Sequence, residues 1–126
     1  MLLVQKMDIT RLVKFNYRNP PTSNIPRTLA VISAYDSFIK TDGPDNFKLF
    51  LQTKLSKSKF YFCKNNFPYN IEEPIKHSCL WYKGTTDEQD IIVFLNENNI
   101  TYVTFFENPK HLKSVKDISH LHVFHY

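Results

Sequence analysis

The hydrophobic positions of this chain keep a helical period in its first half and turn to strict alternation in its second. Between residues 27 and 40, Leu29, Ile32 and Ile39 recur at three-to-four spacing, with Tyr35 or Asp36 between them. That spacing predicts a helix that buries those side chains. Thr41, Asp42, Gly43 and Pro44 break it, because glycine permits positive φ and proline cannot continue a helix. Asp45 then offers an N-cap for a second helix reaching residue 55, with Phe47, Phe50, Leu51 and Leu55 as its apolar stripe.

From residue 59 the period is two. Residues 59–63 predict a short aromatic strand, and 65–70 a turn-rich connector. Residues 75–82 alternate clearly: Ile75, His77, Cys79 and Trp81 share one face, and Lys76, Ser78, Leu80 and Tyr82 the other. Thr86 and Gln89 stand at capping-box spacing and announce a helix over 87–98, with Ile91, Ile92 and Leu95 inward. Residues 100–106 and 119–126 complete the set as strands. The strand–helix–strand unit over 75–106 predicts a crossover between parallel strands. The expected fold is therefore α+β: a small mixed β-sheet with a β-α-β-β C-terminal half, covered by the two earlier helices. Residues 11–17 read as a short strand, and Pro20, Pro21 and Pro26 hold their neighbourhood extended. An extended N-terminal arm over 1–26 and a single α+β domain over 27–126 follow.

At 126 residues the chain is long enough for one core without disulfides or a structural metal. Two cysteines and two glycines exclude a disulfide scaffold and a glycine-rich phosphate cradle. Cys63 and Cys79 lie in apolar stretches with no CxxC pair, as expected of small buried hydrophobes in a reducing compartment. No apolar run suits a signal peptide or a bilayer span, so a cytoplasmic location without membrane contact is expected. The net charge of +4 is a mild excess. Lys54, Lys57 and Lys59 read as a solvated face, so nucleic acid is not an expected partner.

The chemistry candidates are histidines. His120 and His122 stand two apart on a strand and so project from the same face, and His77 sits on what reads as a neighbouring strand. No cofactor is demanded. If a metal is present, His77, His120 and His122 form an open three-histidine zinc site. Without metal the same residues supply a general acid, a base or a phosphate clamp. A plainer reading leaves His120 and His122 on a half-exposed polar face and His77 as a hydrogen-bonded interior residue. Like-charge repulsion between His120 and His122 is expected to depress at least one of their pKa values. His125 is one residue out of the His-x-His-x-His register of histidine-triad nucleotide hydrolases, which puts it on the opposite face and excludes that assignment.

Five motifs occur in order: Asn66-Phe-Pro-Tyr69, His77-Ser-Cys-Leu-Trp81, Phe106-Glu-Asn108, Leu112-Lys-Ser-Val115 and His120-Leu-His-Val-Phe124. Together they resemble the domain of unknown function typified by the fungal N-acetylglucosamine-induced protein, found also in protists and large DNA viruses. The resemblance implies an architecture rather than an activity, and it marks His77, Trp81, Asn108, Ser114, His120 and His122. Pro109 and Ser119 depart from it, where an aromatic and an acidic residue are common; the missing carboxylate weakens any scheme that needs a nearby base.

Two functions are expected in competition. In the first, a small anionic ligand, a nucleotide or sugar phosphate, is bound or hydrolysed on the face of His77, His120 and His122. Asn108 would orient it, and Trp81, Lys110, Lys113 and Ser114 would contact it. In the second, the chain is a non-enzymatic interaction module, such as a virion component or host-factor binder, that uses exposed aromatics to hold a protein partner.

Overall fold

In the computed structural model, residues 6–23, 25–108 and 118–126 are described. The chain runs α1 (Ile9–Leu12), α2 (Leu29–Ile39), α3 (Gly43–Leu55), β1 (Phe60–Lys64), β2 (Lys76–Tyr82), α4 (Glu88–Glu97), β3 (Tyr102–Phe106) and β4 (Ser119–His125). The helices begin on polar signals in the sequence. Thr28 Oγ1 accepts the Val31 N–H at 3.2 Å, and the Asp87 carboxylate accepts the Asp90 N–H at 2.8 Å. Two helix starts differ from expectation. Asp87, not Thr86, caps α4, and α3 starts earlier, with Asp42 rather than Asp45 in the N-cap position and no side-chain hydrogen bond from it, because Pro44 fits the first turn, where its missing N–H costs nothing.

The fold class is α+β, as the periodicity implies, but the sheet is not mixed. Its order is β1-β2-β4-β3, and all three neighbouring pairs are antiparallel. β2 and β3 do run in the same direction on either side of α4, yet β4 enters between them and pairs with both. β4 suits a central place because both of its faces are buried: Leu121 and Val123 on one, His120, His122 and Phe124 on the other.

One sheet face is closed by α4, whose Ile91 and Leu95 pack with Leu80, Phe105, Leu121 and Val123. The opposite face carries two clusters. Leu51 and Leu55 of α3 cover Cys79 and Trp81, while Met7, Leu12 and Ile25 join Tyr69, Ile75, Phe106 and Phe124. The strand expected over 11–17 is absent. The short α1 stands at the start of that stretch, capped by Asp8, whose carboxylate accepts the Arg11 N–H at 2.9 Å. The described part of the N-terminal segment therefore contributes to the core, and Met7 bridges to Ile71 in the parallel sense.

α2 is rotated from the predicted orientation. Leu29, Ile32 and Ile39 are 69%, 42% and 49% exposed, and the half-buried residues are Val31, Tyr35 and Phe38. The reason is aromatic packing: the Tyr35 and Phe38 rings each lie 5.2 Å from Phe67 in the β1–β2 connector. In α3, Leu51 and Leu55 are buried, but Phe50 of the expected stripe is largely exposed. No helix among the described residues is long and apolar enough to cross a membrane.

Candidate functional site

Strand register assembles the site. The β2–β4 pairing sets Cys79 opposite His122, Trp81 opposite His120 and His77 opposite Phe124. Cys63 in turn opposes Cys79 across β1–β2, and Phe106 opposes His122 across β3–β4. Since alternate residues share a face, these side chains lie on one side of the sheet, Cys79 and Trp81 beneath α3 and Phe106 and Phe124 beneath the N-terminal segment and the connector. His77, His120 and His122 are 6%, 7% and 3% exposed, so the half-exposed polar face is not what forms.

The histidines sit in a chain of short contacts. Tyr69 N–H donates to His77 Nδ1 at 3.1 Å. His77 Nε2 lies 2.7 Å from His122 Nδ1, and His122 Nε2 lies 3.0 Å from the Asn108 carboxamide and 3.4 Å from the Tyr69 hydroxyl. Asn65 takes the Phe67 N–H on Oδ1 at 2.7 Å and donates from Nδ2 to Cys79 Sγ at 3.3 Å. His120 stacks on Trp81 with ring centroids 4.3 Å apart. Arg27 is held by a hydrogen bond from Nε to the Phe67 carbonyl at 2.8 Å, with its guanidinium 4.5 Å above the Tyr69 ring.

Burial, and after it the Arg27 guanidinium and the His120 and His125 imidazoles, holds the His77 pKa well below the ordinary histidine value. Burial does the same to His122, followed by His77, His120 and Arg27. The depression expected from the His120–His122 pair is therefore present at His122, but desolvation leads it and His77 outranks His120 as its electrostatic neighbour. Burial also pushes the Cys79 thiol far up, with Cys63 adding to the effect and Asn65 opposing it.

In front of these groups lies a cavity of about 330 Å³. Cys79, Asn108, His120 and His122 border it on the sheet side, Phe38, Phe47, Phe67 and Trp81 give it aromatic walls, and Arg27 and Lys64 bring positive charge. Among the described residues no carboxylate lines it. The structure thus brings together His120, His122, Asn108 and Trp81 at the cavity. His77 stands behind His122, in contact with it but outside the lining. Lys110, Lys113 and Ser114 lie outside the described residues. Asn65, Tyr69, Cys79, Lys64 and Arg27 were not anticipated as site residues. Alternation along β2 could have found Cys79, between His77 and Trp81 on the same face; nothing in the local pattern marks Arg27.

A metal would meet a different set from three histidines. The ligand atoms of Cys79, His120 and His122 all lie within 4.8 Å of one another, and these are donor types that zinc accepts. His77 has both ring nitrogens engaged by protein groups. An ion on His122 Nδ1 would have to displace the His77 hydrogen bond, and Cys79 would have to release a thiol proton that burial holds in place.

No family model matches this chain, and no curated protein does. A crystal structure of HTC1 is similar to it over 81% of this chain and 76% of that one, with 20% identity and a TM-score of 0.60. At that identity the likeness shows the fold alone.

Proposed function

We propose that this protein binds a small anionic ligand, of the nucleotide or sugar-phosphate class, in the cavity over His120 and His122. The observation that carries the reading is the cavity itself, about 330 Å³ with aromatic walls, a polar floor and two cations, Arg27 and Lys64. Small-molecule sites are concave, mostly apolar, and furnished with a few convergent polar groups. Phe38, Phe47 and Trp81 offer flat surfaces for a ring, and the cations suit a phosphate. The resemblance to the domain of unknown function carries no activity and adds none here.

Binding is favoured over turnover by the protonation states. A general base works best with a pKa near the working pH. His77 and His122 are held well below that range by burial, and the Cys79 thiol well above it. His122 then belongs to the polar floor, held by His77 and Asn108, with the His120 ring edge-on beside it at 5.0 Å. A cytoplasmic setting is part of this reading.

The test is a ¹H–¹⁵N NMR titration of the full chain with a panel of nucleotides and sugar phosphates. Perturbations concentrated at residues 64–67 and 119–122, weakened by Arg27→Gln and Lys64→Gln, are the expected result. Spectra that stay unchanged at millimolar ligand, or change elsewhere, would overturn it.

The interaction-module reading has an observation of its own. Leu29, Ile32 and Ile39 of α2, with Leu49 and Phe50 of α3, present large apolar side chains to solvent.

A further inference from the structure

We infer that hydrogen-bond polarity makes the Asn108 side of the cavity floor a donor surface that selects an anionic oxygen acceptor, a phosphate or a carboxylate; this rests on the anion-binding reading above. The polarity begins at a backbone amide, which cannot reverse. Because Tyr69 N–H donates to His77 Nδ1 at 3.1 Å, that nitrogen must present its lone pair, and neutral His77 carries its proton on Nε2. The Nε2 proton is given to His122 Nδ1 at 2.7 Å. The lone pair of His122 is thereby used, and its own proton stands on Nε2.

The next group in the chain is Asn108. With its Nδ2 toward His122 Nε2, two donors would face each other at 3.0 Å. A carboxamide, unlike a backbone amide, can turn over within its own shape. With Oδ1 in that place, the oxygen accepts the His122 N–H and also the Tyr69 O–H, whose oxygen is 3.1 Å away. The Asn108 NH₂ is then turned away from both rings, and since Asn108 lines the cavity, that NH₂ is assigned to a ligand there. The opposite tautomers would instead set His77 Nδ1–H against the Tyr69 N–H, a conflict that no rotation can relieve.

Asn65 repeats the device. Its oxygen is taken by the Phe67 N–H at 2.7 Å, so its NH₂ faces inward, 3.3 Å from both Cys79 Sγ and His77 Nε2; it donates to the sulfur, because the His77 Nε2 proton is committed to the closer His122 Nδ1 at 2.7 Å. Both amide orientations originate in backbone N–H groups of the same connector, those of Phe67 and Tyr69. The lone pairs of His77 and His122 are consumed inside the protein, while Asn108, Arg27 and Lys64 leave donors for the ligand. A phosphate or carboxylate accepts at its ionised oxygens and is matched by such a floor. A ligand group that must donate finds no acceptor in this relay. His77, which does not line the cavity, is a positioning residue: it sets the tautomer of His122 and through it the direction of Asn108.

Long-range ¹H–¹⁵N spectra of the full chain at pH 7.5 read the tautomers without any ligand. Both His77 and His122 should be Nε2–H; His122 as Nδ1–H overturns the polarity even if phosphate binds. The second arm titrates inorganic phosphate against wild type and Asn108→Asp. The Asp side chain still accepts from His122 but offers the cavity an acceptor and a negative charge, so affinity should fall about tenfold or more. Equal phosphate affinity in the two proteins overturns the donor floor. No phosphate binding by wild type, with the stated tautomers, overturns the anion reading and with it the selection of an oxyanion. The tautomer spectra need no substitution, so a variant that does not fold leaves the first arm decisive.

Discussion

Lowering the pH from 7.0 to 5.5 should cost the folded chain about 2.5 kcal/mol through His77 and His122 alone. Burial is the main reason that both pKa values lie well below the ordinary 6.5. The titratable and charged groups around the two rings are Arg27 beside the connector, Tyr69 within it, Cys79 on β2, and His120 and His125 on β4. In the unfolded chain each histidine titrates near about 6.5, so below that pH the unfolded state holds more protons than the native one. Stability then rises with pH: the contribution is fully present above the unfolded value and is lost as the pH falls, at up to about 1.4 kcal/mol per unit per ring. A ring that stays neutral in the fold loses about 1.2 kcal/mol over this interval, and two rings about twice that. With a urea slope of about 1.5–2 kcal/mol/M, the midpoint should drop by about 1.2–1.7 M. Urea unfolding followed by tryptophan fluorescence at pH 7.0, 6.25 and 5.5 measures it. His77→Gln should remove roughly half of the pH slope whatever it does to absolute stability. A wild-type midpoint that does not move over this range, or a slope unchanged in His77→Gln, would refute the burial argument.

Two further outcomes test the fold around the site. Leu29→Gln, at a position 69% exposed, should change stability by no more than about 0.5 kcal/mol, whereas Tyr35→Ala, against Phe67, should cost about 1–3 kcal/mol in chemical unfolding. If the outer face of α2 serves a partner, Leu29→Gln should also lower the fluorescence of an apolar dye, and an unchanged signal removes the interaction-module reading. Asp87→Ala deprives α4 of its cap and should cost about 1 kcal/mol, while Thr86→Ala should cost less; thermal melts showing the reverse order would restore the earlier cap.

Much of the local geometry was legible in the sequence because period and face are local properties. Alternation alone puts His120 and His122 on the same face and His125 on the other, and the structure agrees: His125 Nε2 meets Ser78 Oγ at 2.7 Å, away from the other histidines. Helical spacing likewise marked Ile91 and Leu95 as inward residues of α4. What tertiary structure decided were choices between locally equivalent options. α2 is apolar nearly all round, so spacing could not tell whether Leu29 and Ile32 or Tyr35 and Phe38 would be covered; the Phe67 ring, about thirty residues away in sequence, made the selection. β4 could have joined the sheet at its edge, but it lies between β2 and β3, where both of its faces are buried. That insertion creates the β2–β4 register, and the register brings His77 within 2.7 Å of His122 and sets Cys79 opposite it. Arg27, Asn65 and Tyr69 reach the site from irregular segments, where no period exists to read. A residue's face is settled by the few dihedral angles beside it; its neighbours are settled by the free energy of packing surfaces that meet only when the whole chain has closed.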